Sequence, residues 1–281
     1  MLLRKVTRTV AARPATDGAG VKINRISGFS DACRMDPFLM LDEIRSDDKD
    51  DFIAGFPPHP HRGFETVTYM RAGAFSHKDS MGNNGSITAG GAQWMTAGSG
   101  VIHAEMPKAD TDRMHGFQFW LNLPASEKMQ PPAYRDIQGA EVITVDHEDS
   151  HIRLISGSLG IGDTEVYGVV TSHSTRALIA DVILPESGIT TLKIEPTLSA
   201  HAYVYRGSVN AGDITIASGV LACFGDGDAL QLSATQDSGL LLFGGRPINE
   251  PVAHHGPFVM NTQEEIAQAI RDYQNGTLVR G

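Results

Sequence analysis

Apolar and polar residues alternate over short runs along most of the chain, and turns rich in glycine and proline separate these runs. Successive side chains of a strand point to opposite faces, so alternation with period two predicts half-buried β-strands. Residues 64–71 are rich in β-branched and aromatic side chains and end at Ala72-Gly73, which predicts a strand that enters a hairpin. The pattern favours an all-β chain.

The cleanest alternation lies in residues 114–124, which end on a proline. One predicted face carries His115, Phe117, Phe119 and Leu121, and the other carries Gln118, Trp120 and Asn122. If the first face looks inward, His115 lies near the interior of the fold and can donate a hydrogen bond there. A buried histidine with a structural role explains the pattern equally well.

Residues 262–276 carry a helical pattern in an otherwise strand-like sequence. Thr262 can cap the helix, and Glu265 follows three residues later, which is the spacing of a capping box. An apolar stripe then follows at helical spacing, formed by Ile266, Ile270 and Tyr273. We therefore expect a short C-terminal helix that packs on a sheet.

At 281 residues the chain is long enough for two domains, each with its own core. Residues 124–132 are rich in proline and polar side chains and form the best candidate linker. We therefore place an N-terminal domain at 1–130 and a C-terminal domain at 131–281. Short strand-like runs continue through the second half, so we expect a second β-barrel there.

Charge and cysteine content limit the classes of function. The formal net charge is −10, which repels phosphate, and no dense cluster of Lys and Arg is present, so we expect no direct binding to nucleic acid. The N-terminal segment has no signal-type apolar core, and no apolar run approaches membrane-spanning length. Cys33 and Cys223 lie far apart in the sequence and do not indicate a disulfide framework. We expect a cytoplasmic monomer without a membrane segment.

The candidate chemistry lies between residues 55 and 105. His59 and His61 are two residues apart and project from the same face of a strand, and His103 and Glu105 repeat that spacing. One such pair can arise by chance, but two strands side by side inside a barrel would bring three imidazoles and a carboxylate together. That ligand set suits divalent iron, manganese, cobalt, nickel, copper or zinc, and it leaves two positions of an octahedral ion open.

Two other side chains compete for a place at this site. Glu65 shares the odd-numbered parity of His59 and His61, so strand geometry alone leaves it open as the carboxylate ligand in place of Glu105. His77 begins another strand, and we interpret it as a surface residue or as a support for the ligands, in preference to a fifth ligand.

The second half of the chain offers no comparable set of ligands. His201 lies where a ligand strand is expected, but Tyr203 occupies the position of the second histidine, and residues 219–225 contain neither histidine nor glutamate. His254 and His255 are adjacent and would point in opposite directions from an extended segment, so we interpret them as structural. We expect no metal in the C-terminal domain.

Two long motifs indicate a family. His59-Pro-His-Arg-Gly-Phe-Glu-Thr-Val-Thr-Tyr69 and Gln93-Trp-Met-Thr-Ala-Gly-Ser-Gly-Val-Ile-His-Ala-Glu-Met-Pro107 resemble the pirin family of the cupin superfamily. The resemblance also covers residues 36–43, 121–123, 126–129 and 251–266, so it extends through nearly the whole chain.

The resemblance implies an all-β bicupin, in which two jelly-roll-like β-barrel domains lie face to face. It implies one iron ion, Fe²⁺, in the N-terminal barrel, held by His59, His61, His103 and Glu105. It thereby assigns the carboxylate ligand to Glu105 and makes Glu65 a buried acid near the site. The C-terminal barrel of such proteins typically lacks the ligands.

Two roles follow from the resemblance. The first, which we favour, is an enzyme, a quercetin 2,3-dioxygenase that opens the flavonol with dioxygen and releases carbon monoxide, with Glu105 as the catalytic proton acceptor. The alternative is a metal- or redox-dependent regulator that binds a transcription factor or a metabolic enzyme.

Overall fold

The computed structural model describes residues 1–29, 35–172 and 174–279. Within these ranges the chain forms 26 strands, one 3-10 helix at Lys49–Asp51 and one α-helix. In chain order, the first strands are β1 (Val6–Ala11), β2 (Arg13–Asp17), β3 (Val21–Ser27), β4 (Phe38–Ser46), β5 (Phe56–His61), β6 (Phe64–Ala72), β7 (Ala74–Asp79), β8 (Asn84–Thr88), β9 (Ala92–Thr96), β10 (Val101–Pro107), β11 (Met114–Asn122) and β12 (Ala133–Ile137).

The remaining elements follow the predicted linker. They are β13 (Ile143–His147), β14 (Ser150–Ser156), β15 (Ser158–Ile161), β16 (Thr164–Tyr167), β17 (Leu178–Leu184), β18 (Ile189–Lys193), β19 (Ala200–Arg206), β20 (Ser208–Ala211), β21 (Ile214–Ala217), β22 (Val220–Phe224), β23 (Ala229–Ala234), β24 (Ser238–Gly244), β25 (Ala253–His255), β26 (Phe258–Met260) and α1 (Gln263–Gln274). The prediction of an all-β chain with a short C-terminal helix is confirmed.

The chain divides into two compact units, and each is discontinuous in sequence. The unit that we call the histidine unit comprises Pro14–Arg25, Leu39–Ala140 and Ile248–Gly281. The other, which we call the apolar unit, comprises Met1–Arg13, Ile26–Phe38 and Glu141–Pro247.

This division differs from the predicted domains, 1–130 and 131–281, at both ends of the chain. Strand β1 forms an antiparallel ladder with β22, with Thr9 opposite Ala222, so the N-terminus belongs to the apolar unit. Helix α1 packs against β25 and β26 and belongs to the histidine unit. Neither unit is a continuous stretch of sequence, because the segments of one unit alternate along the chain with the segments of the other.

The apolar unit contains a seven-stranded sheet, β1-β22-β19-β24-β17-β14-β13, and a six-stranded sheet, β16-β15-β18-β23-β20-β21. One apolar core, with side chains from both sheets, fills the space between them. On β19 this core receives Ala200, Ala202 and Val204. His201 and Tyr203 therefore lie on the opposite face of β19, away from the interior where a cupin ligand would project.

The histidine unit contains a seven-stranded sheet, β12-β9-β6-β11-β4-β3-β2, a four-stranded sheet, β5-β10-β7-β8, and the small pair β25-β26. Among the described residues the strands of each unit hydrogen-bond within separate sheets, so neither unit closes into the continuous barrel that we expected. Side-chain packing joins the sheets instead, and the fold is cupin-like.

Helix α1 begins with the predicted capping box. Thr262 Oγ1 accepts a hydrogen bond from Glu265 N at 3.2 Å, and Glu265 Oε2 accepts one from Thr262 N at 3.0 Å. Ile266 is buried in a small core with β25 and β26, whereas the predicted stripe residue Tyr273 is 42% exposed. No helix in the described ranges is long and apolar enough to cross a membrane.

The structure describes one of the two cysteines. Cys223 lies on β22 and is 7% exposed. Cys33, the other cysteine of the chain, lies outside the described residues. The prediction that the two cysteines form no disulfide framework therefore stays a prediction.

Lys128 is a buried cation that ties together three parts of the histidine unit. Its Nζ donates to Asn122 Oδ1 at 2.6 Å, to the carbonyl of Gly63 at 2.7 Å and to the carbonyl of Val259 at 3.2 Å. Burial lowers the pKa of Lys128 to about 8 from 10.5. Gly63 has φ 88, and its Cα approaches the backbone of Val259 too closely for a side chain.

This shift predicts a pH-dependent stability. The folded-state pKa of Lys128 is lower than its unfolded value, so the unfolded state binds more protons between about pH 8 and 10.5. The free energy of unfolding should therefore rise by up to about 3 kcal/mol across this window. Denaturant unfolding of the wild type and of Lys128→Met at several pH values measures the rise. An equal rise in the free energy of unfolding of Lys128→Met would contradict the assignment of this pH dependence to Lys128.

Candidate metal centre

The inner face of the four-stranded sheet is polar. Along β10 the odd-numbered residues are buried and the even-numbered ones are half-buried, so His103 and Glu105 point inward together. In register, His103 lies opposite His59 on β5, and Glu105 lies opposite His77 on β7. The pairing of β5 with β10 therefore brings both histidine-containing strands side by side, and the predicted alternation puts their candidate ligands on one face.

Three of the predicted ligands form a tight cluster. One ring nitrogen from each of His59, His61 and His103 lies within 4.8 Å of the others. The centroid of His59 is 4.3 Å from that of His103 and 4.7 Å from that of His61. His61 and His103 are buried, whereas His59 is half-buried and gives the cluster its more accessible side.

Backbone carbonyls fix the ring orientation of two of these histidines. His59 Nδ1 lies 2.8 Å from the carbonyl of Pro57, and His61 Nδ1 lies 3.3 Å from the carbonyl of Pro257. A carbonyl can only accept, so each Nδ1 must carry the proton, and each Nε2 then presents a lone pair. Burial and the neighbouring His59 lower the pKa of His61 to about 3, which keeps its ring neutral and able to bind a metal.

His103 lies at the centre of the cluster and has no hydrogen-bond partner on either ring nitrogen in the described part of the chain. It is 1% exposed, and burial together with the neighbouring histidines lowers its pKa well below the usual value. A buried polar atom without a partner costs about 1–3 kcal/mol. A divalent ion would satisfy one of these nitrogens, so the donor set fits a bound metal.

Glu105, the fourth predicted ligand, lies in a second cluster that shares His103 with the first. Ligand atoms of His77, His103 and Glu105 lie within 4.8 Å of one another, so His103 belongs to both groups. Thr68 Oγ1 donates to Glu105 Oε1 at 3.1 Å, and Gln118 Nε2 donates to Glu105 Oε2 at 2.8 Å. Each carboxylate oxygen thus has one donor and keeps a lone pair for an ion.

Glu65, the alternative carboxylate, lies on the other face of β6. It is three residues from Thr68, which contacts Glu105, and this odd spacing puts the two side chains on opposite sides of the strand. Thr96 Oγ1 donates to Glu65 Oε1 at 2.6 Å, and burial raises the pKa of Glu65. Glu65 is therefore absent from both ligand clusters, which are drawn from the described residues.

The face of β11 that carries Gln118 and Trp120 contacts the site, and the face that carries His115 does not. Gln118 bonds Glu105, and the ring of Trp120 lies 5.3 Å from that of His61. His115 lies on the other face, where its Nε2 is 3.0 Å from Glu43 Oε1. Gln118 is the functional candidate that the sequence reasoning missed, although it shares the parity of Trp120.

His77 is neither a surface residue nor isolated. It is 1% exposed, and its Nε2 lies 3.1 Å from Asp79 Oδ2. His254 and His255 are both exposed on β25 and belong to neither ligand cluster of the described chain.

Two family profiles match this chain: Pirin over residues 20–121 and Pirin C-terminal cupin domain over residues 179–279. A Vibrio cholerae protein named "putative quercetin 2,3-dioxygenase" is 47% identical over 274 residues, which cover 97% of both chains. A pirin-like protein of Caulobacter vibrioides is 43% identical over 98% of this chain and 99% of its own length. A crystal structure named quercetin 2,3-dioxygenase from Acinetobacter baumannii is 31% identical, covers 98% of both chains and superposes with a TM-score of 0.89.

Proposed function

Because this chain belongs to the pirin family, we propose that it is a metal-dependent dioxygenase that opens the flavonol quercetin and releases carbon monoxide. The observation that carries the proposal is His103, a buried histidine with two unsatisfied nitrogens at the meeting point of three imidazoles and a carboxylate. The fold and these clusters support a metal cofactor.

The proposed ligands are His59, His61, His103 and Glu105. We propose iron as the resident metal. Imidazole and carboxylate ligands also suit manganese, cobalt, nickel, copper and zinc, so the availability of each metal in the cell decides which one binds. The bound ion would supply a Lewis acid that lowers the pKa of a flavonol hydroxyl and open positions for small ligands.

An aromatic wall beside the ligands supports a flat substrate. The rings of Phe64 and Trp120 lie 4.4 Å apart and are tilted by 32°, and both contact the ring of His61. Aromatic side chains bury flat rings with a preferred offset or edge-on geometry. Phe64 is fully buried, whereas Trp120 is half-buried, so we propose that a flavonol lies against Trp120 with its oxygen atoms directed towards the histidine cluster.

Glu105 is the proposed proton acceptor. Gln118 holds Oε2 at 2.8 Å, whereas the bond from Thr68 to Oε1 is longer at 3.1 Å, so Oε1 is the oxygen that we assign to take the proton of the flavonol 3-hydroxyl. A positioned acceptor of this kind contributes about 10²–10⁴-fold to a reaction rate. Gln118 and Thr68 keep the carboxylate aimed at the site.

The test is the loss of quercetin absorbance by protein loaded with Fe²⁺, measured in air and under argon. We expect oxygen-dependent loss at a rate at least about 100-fold above that of the metal-free protein, in line with one acid–base group plus a metal. A flavone that lacks the 3-hydroxyl is the matched control and should not react. Equal rates with and without metal, or with and without oxygen, would defeat the proposal.

Other sequence-based predictions stay predictions. These are the alternative role as a regulator that binds a protein partner, the monomeric state and the cytoplasmic location. Relatives named only pirin-like protein are compatible with a regulator. Capture of one partner by the metal-loaded form and not by the metal-free form would favour that role.

A further inference from the structure

The three clustered histidines differ in what holds the ring nitrogen that faces away from the cluster. For His59 it is the carbonyl of Pro57, and for His61 it is the carbonyl of Pro257. His103 has no partner on either nitrogen within the described residues. Histidine ligands of metals almost always donate their second N–H to a carboxylate, a carbonyl or water. His103 therefore lacks an acceptor that its two neighbours have.

Next to His103 lies His77, which has a ring nitrogen without a donor. His77 Nε2 bonds Asp79 Oδ2 at 3.1 Å, whereas the buried His77 Nδ1 has no partner in the described chain. The carboxylate of Asp79 accepts from the backbone N–H of Met81 and of Asn83 and from the Asn83 side-chain amide. Because Asp79 acts as an acceptor throughout, His77 Nε2 is the donor. A ring with a single proton on Nε2 presents a lone pair at Nδ1.

The rings of His77 and His103 are neighbours. The ring centroids of His77 and His103 are 5.3 Å apart with an interplanar angle of 52°. The structure forms no hydrogen bond between them, since His77 Nδ1 and both nitrogens of His103 have no partner in the described chain. Rings this close can reach hydrogen-bond length, about 3 Å between nitrogens, once an ion on the other nitrogen fixes the His103 ring. His77 also stacks on Tyr134, with centroids 4.3 Å apart and planes 26° apart, so its ring is held from the other side.

We propose that His77 is a positioning residue for the metal site: when an ion binds one ring nitrogen of His103, the other nitrogen donates a hydrogen bond to His77 Nδ1. One bond then satisfies both orphaned atoms and continues through His77 Nε2 to the carboxylate of Asp79. The chain from His103 to Asp79 fixes the ring of His103 and makes its other nitrogen a stronger ligand. This inference rests on the proposed metal centre but does not depend on the reaction or its substrate.

The test measures Co²⁺ affinity by chelator competition and the visible absorption of the Co²⁺-loaded protein. His77→Phe keeps the aromatic contact with Tyr134 and removes the acceptor, and His77→Gln supplies an amide oxygen in its place. We expect His77→Phe to weaken Co²⁺ binding about 10–100-fold without changing band intensity, because the number of ligands is kept. His77→Gln should recover most of the affinity.

The matched control is His115→Phe. His115 is also a buried histidine bonded to a carboxylate, Glu43 Oε1 at 3.0 Å, but on the face of β11 away from the cluster. Its replacement should leave Co²⁺ affinity close to that of the wild type. Equal affinities for His77→Phe and wild type would overturn the proposal, and so would a change in band intensity that shows the loss of a ligand.

A second measurement serves if His77→Phe does not fold. In wild-type protein labelled with ¹⁵N-histidine and loaded with diamagnetic Zn²⁺, the ring N–H of His103 should give a slowly exchanging signal with scalar coupling to His77 Nδ1. Absence of that coupling in the loaded protein would overturn the proposal. Neither measurement uses quercetin, so a failed dioxygenase assay would leave this inference intact.

Discussion

His103→Ala protein, incubated with excess Fe²⁺ under argon and then desalted, should retain far less than one metal ion per chain, whereas wild type should retain about one. His103 belongs to both ligand clusters of the described chain, so its loss separates Glu105 from His59 and His61. Loss of an outer-sphere partner costs about 10–100-fold in metal affinity, and loss of a shared ligand should cost more. Metal analysis of the desalted protein measures the effect.

His201→Ala is the matched control for this experiment. His201 is 3% exposed and, like His103, has no partner on either ring nitrogen among the described residues. It lies beside the ring of Phe243 and belongs to neither ligand cluster of the described chain. The control variant should bind metal as the wild type does. Full metal retention by His103→Ala would contradict the proposed ligand set.

Stability gives a second readout of the same variant. A ligand that binds only the folded state at 1,000 times its Kd raises the free energy of unfolding by about 4 kcal/mol. Iron should therefore raise the thermal midpoint of the wild type and of His201→Ala but not that of His103→Ala. Metal-free His103 leaves two buried nitrogens unsatisfied, so metal binding should stabilise the wild type and His201→Ala more than His103→Ala.

The spacing of the proposed ligands could be predicted from the sequence because period two fixes which side chains share a face. His103 and Glu105 follow this rule on β10, and His59 lies opposite His103 in the ladder. The same rule could not decide whether Glu65 or Glu105 is the carboxylate ligand. The rule compares residues within one strand, whereas Glu65 lies on β6 beyond the turn that follows His61, where parity with β5 no longer holds.

The role of Gln118 could not be predicted for a different reason. Strand β11 is largely buried on both faces: Phe117 and Phe119 are 0% exposed on one, and Leu121 continues that face, while Gln118 on the other bonds Glu105. Alternation identifies an interior face only when the other face meets water. The place of β1 in the apolar unit could not be predicted, because β1 pairs with β22, more than two hundred residues away, and no local pattern reports such a pairing.

Asp272→Ala should destabilise the histidine unit more than any surface substitution. Its partner, Arg62, is 2% exposed, directly follows the proposed ligand His61 and donates from Nη1 to Asp272 Oδ2 at 2.7 Å. Arg62 Nε also donates to the carbonyl of Ser99 at 2.6 Å, so the guanidinium joins both ligand-bearing segments to helix α1. Removal of one partner of a buried ion pair costs about 3–5 kcal/mol, because it leaves the other charge uncompensated.

The thermal midpoint of Asp272→Ala should therefore fall by about 10 °C, since each kcal/mol shifts it by about 2–4 °C in a protein of this size. Calorimetry of the metal-free protein measures the shift without a contribution from metal binding. Glu264→Ala removes an exposed acid from the first turn of the same helix and should cost no more than about 1 kcal/mol. Equal shifts for the two variants would contradict the role of the ion pair.

The double variant Arg62→Met/Asp272→Ala distinguishes a lost attraction from a stranded charge. If the cost of Asp272→Ala comes from an uncompensated guanidinium, removal of that guanidinium should restore part of the stability, because apolar replacements of buried ion pairs are often neutral. The carbonyl of Ser99 would still lose its donor, so recovery should be incomplete. A double variant less stable than Asp272→Ala would show that Arg62 stabilises the ligand strands mainly through Ser99 and not through the helix.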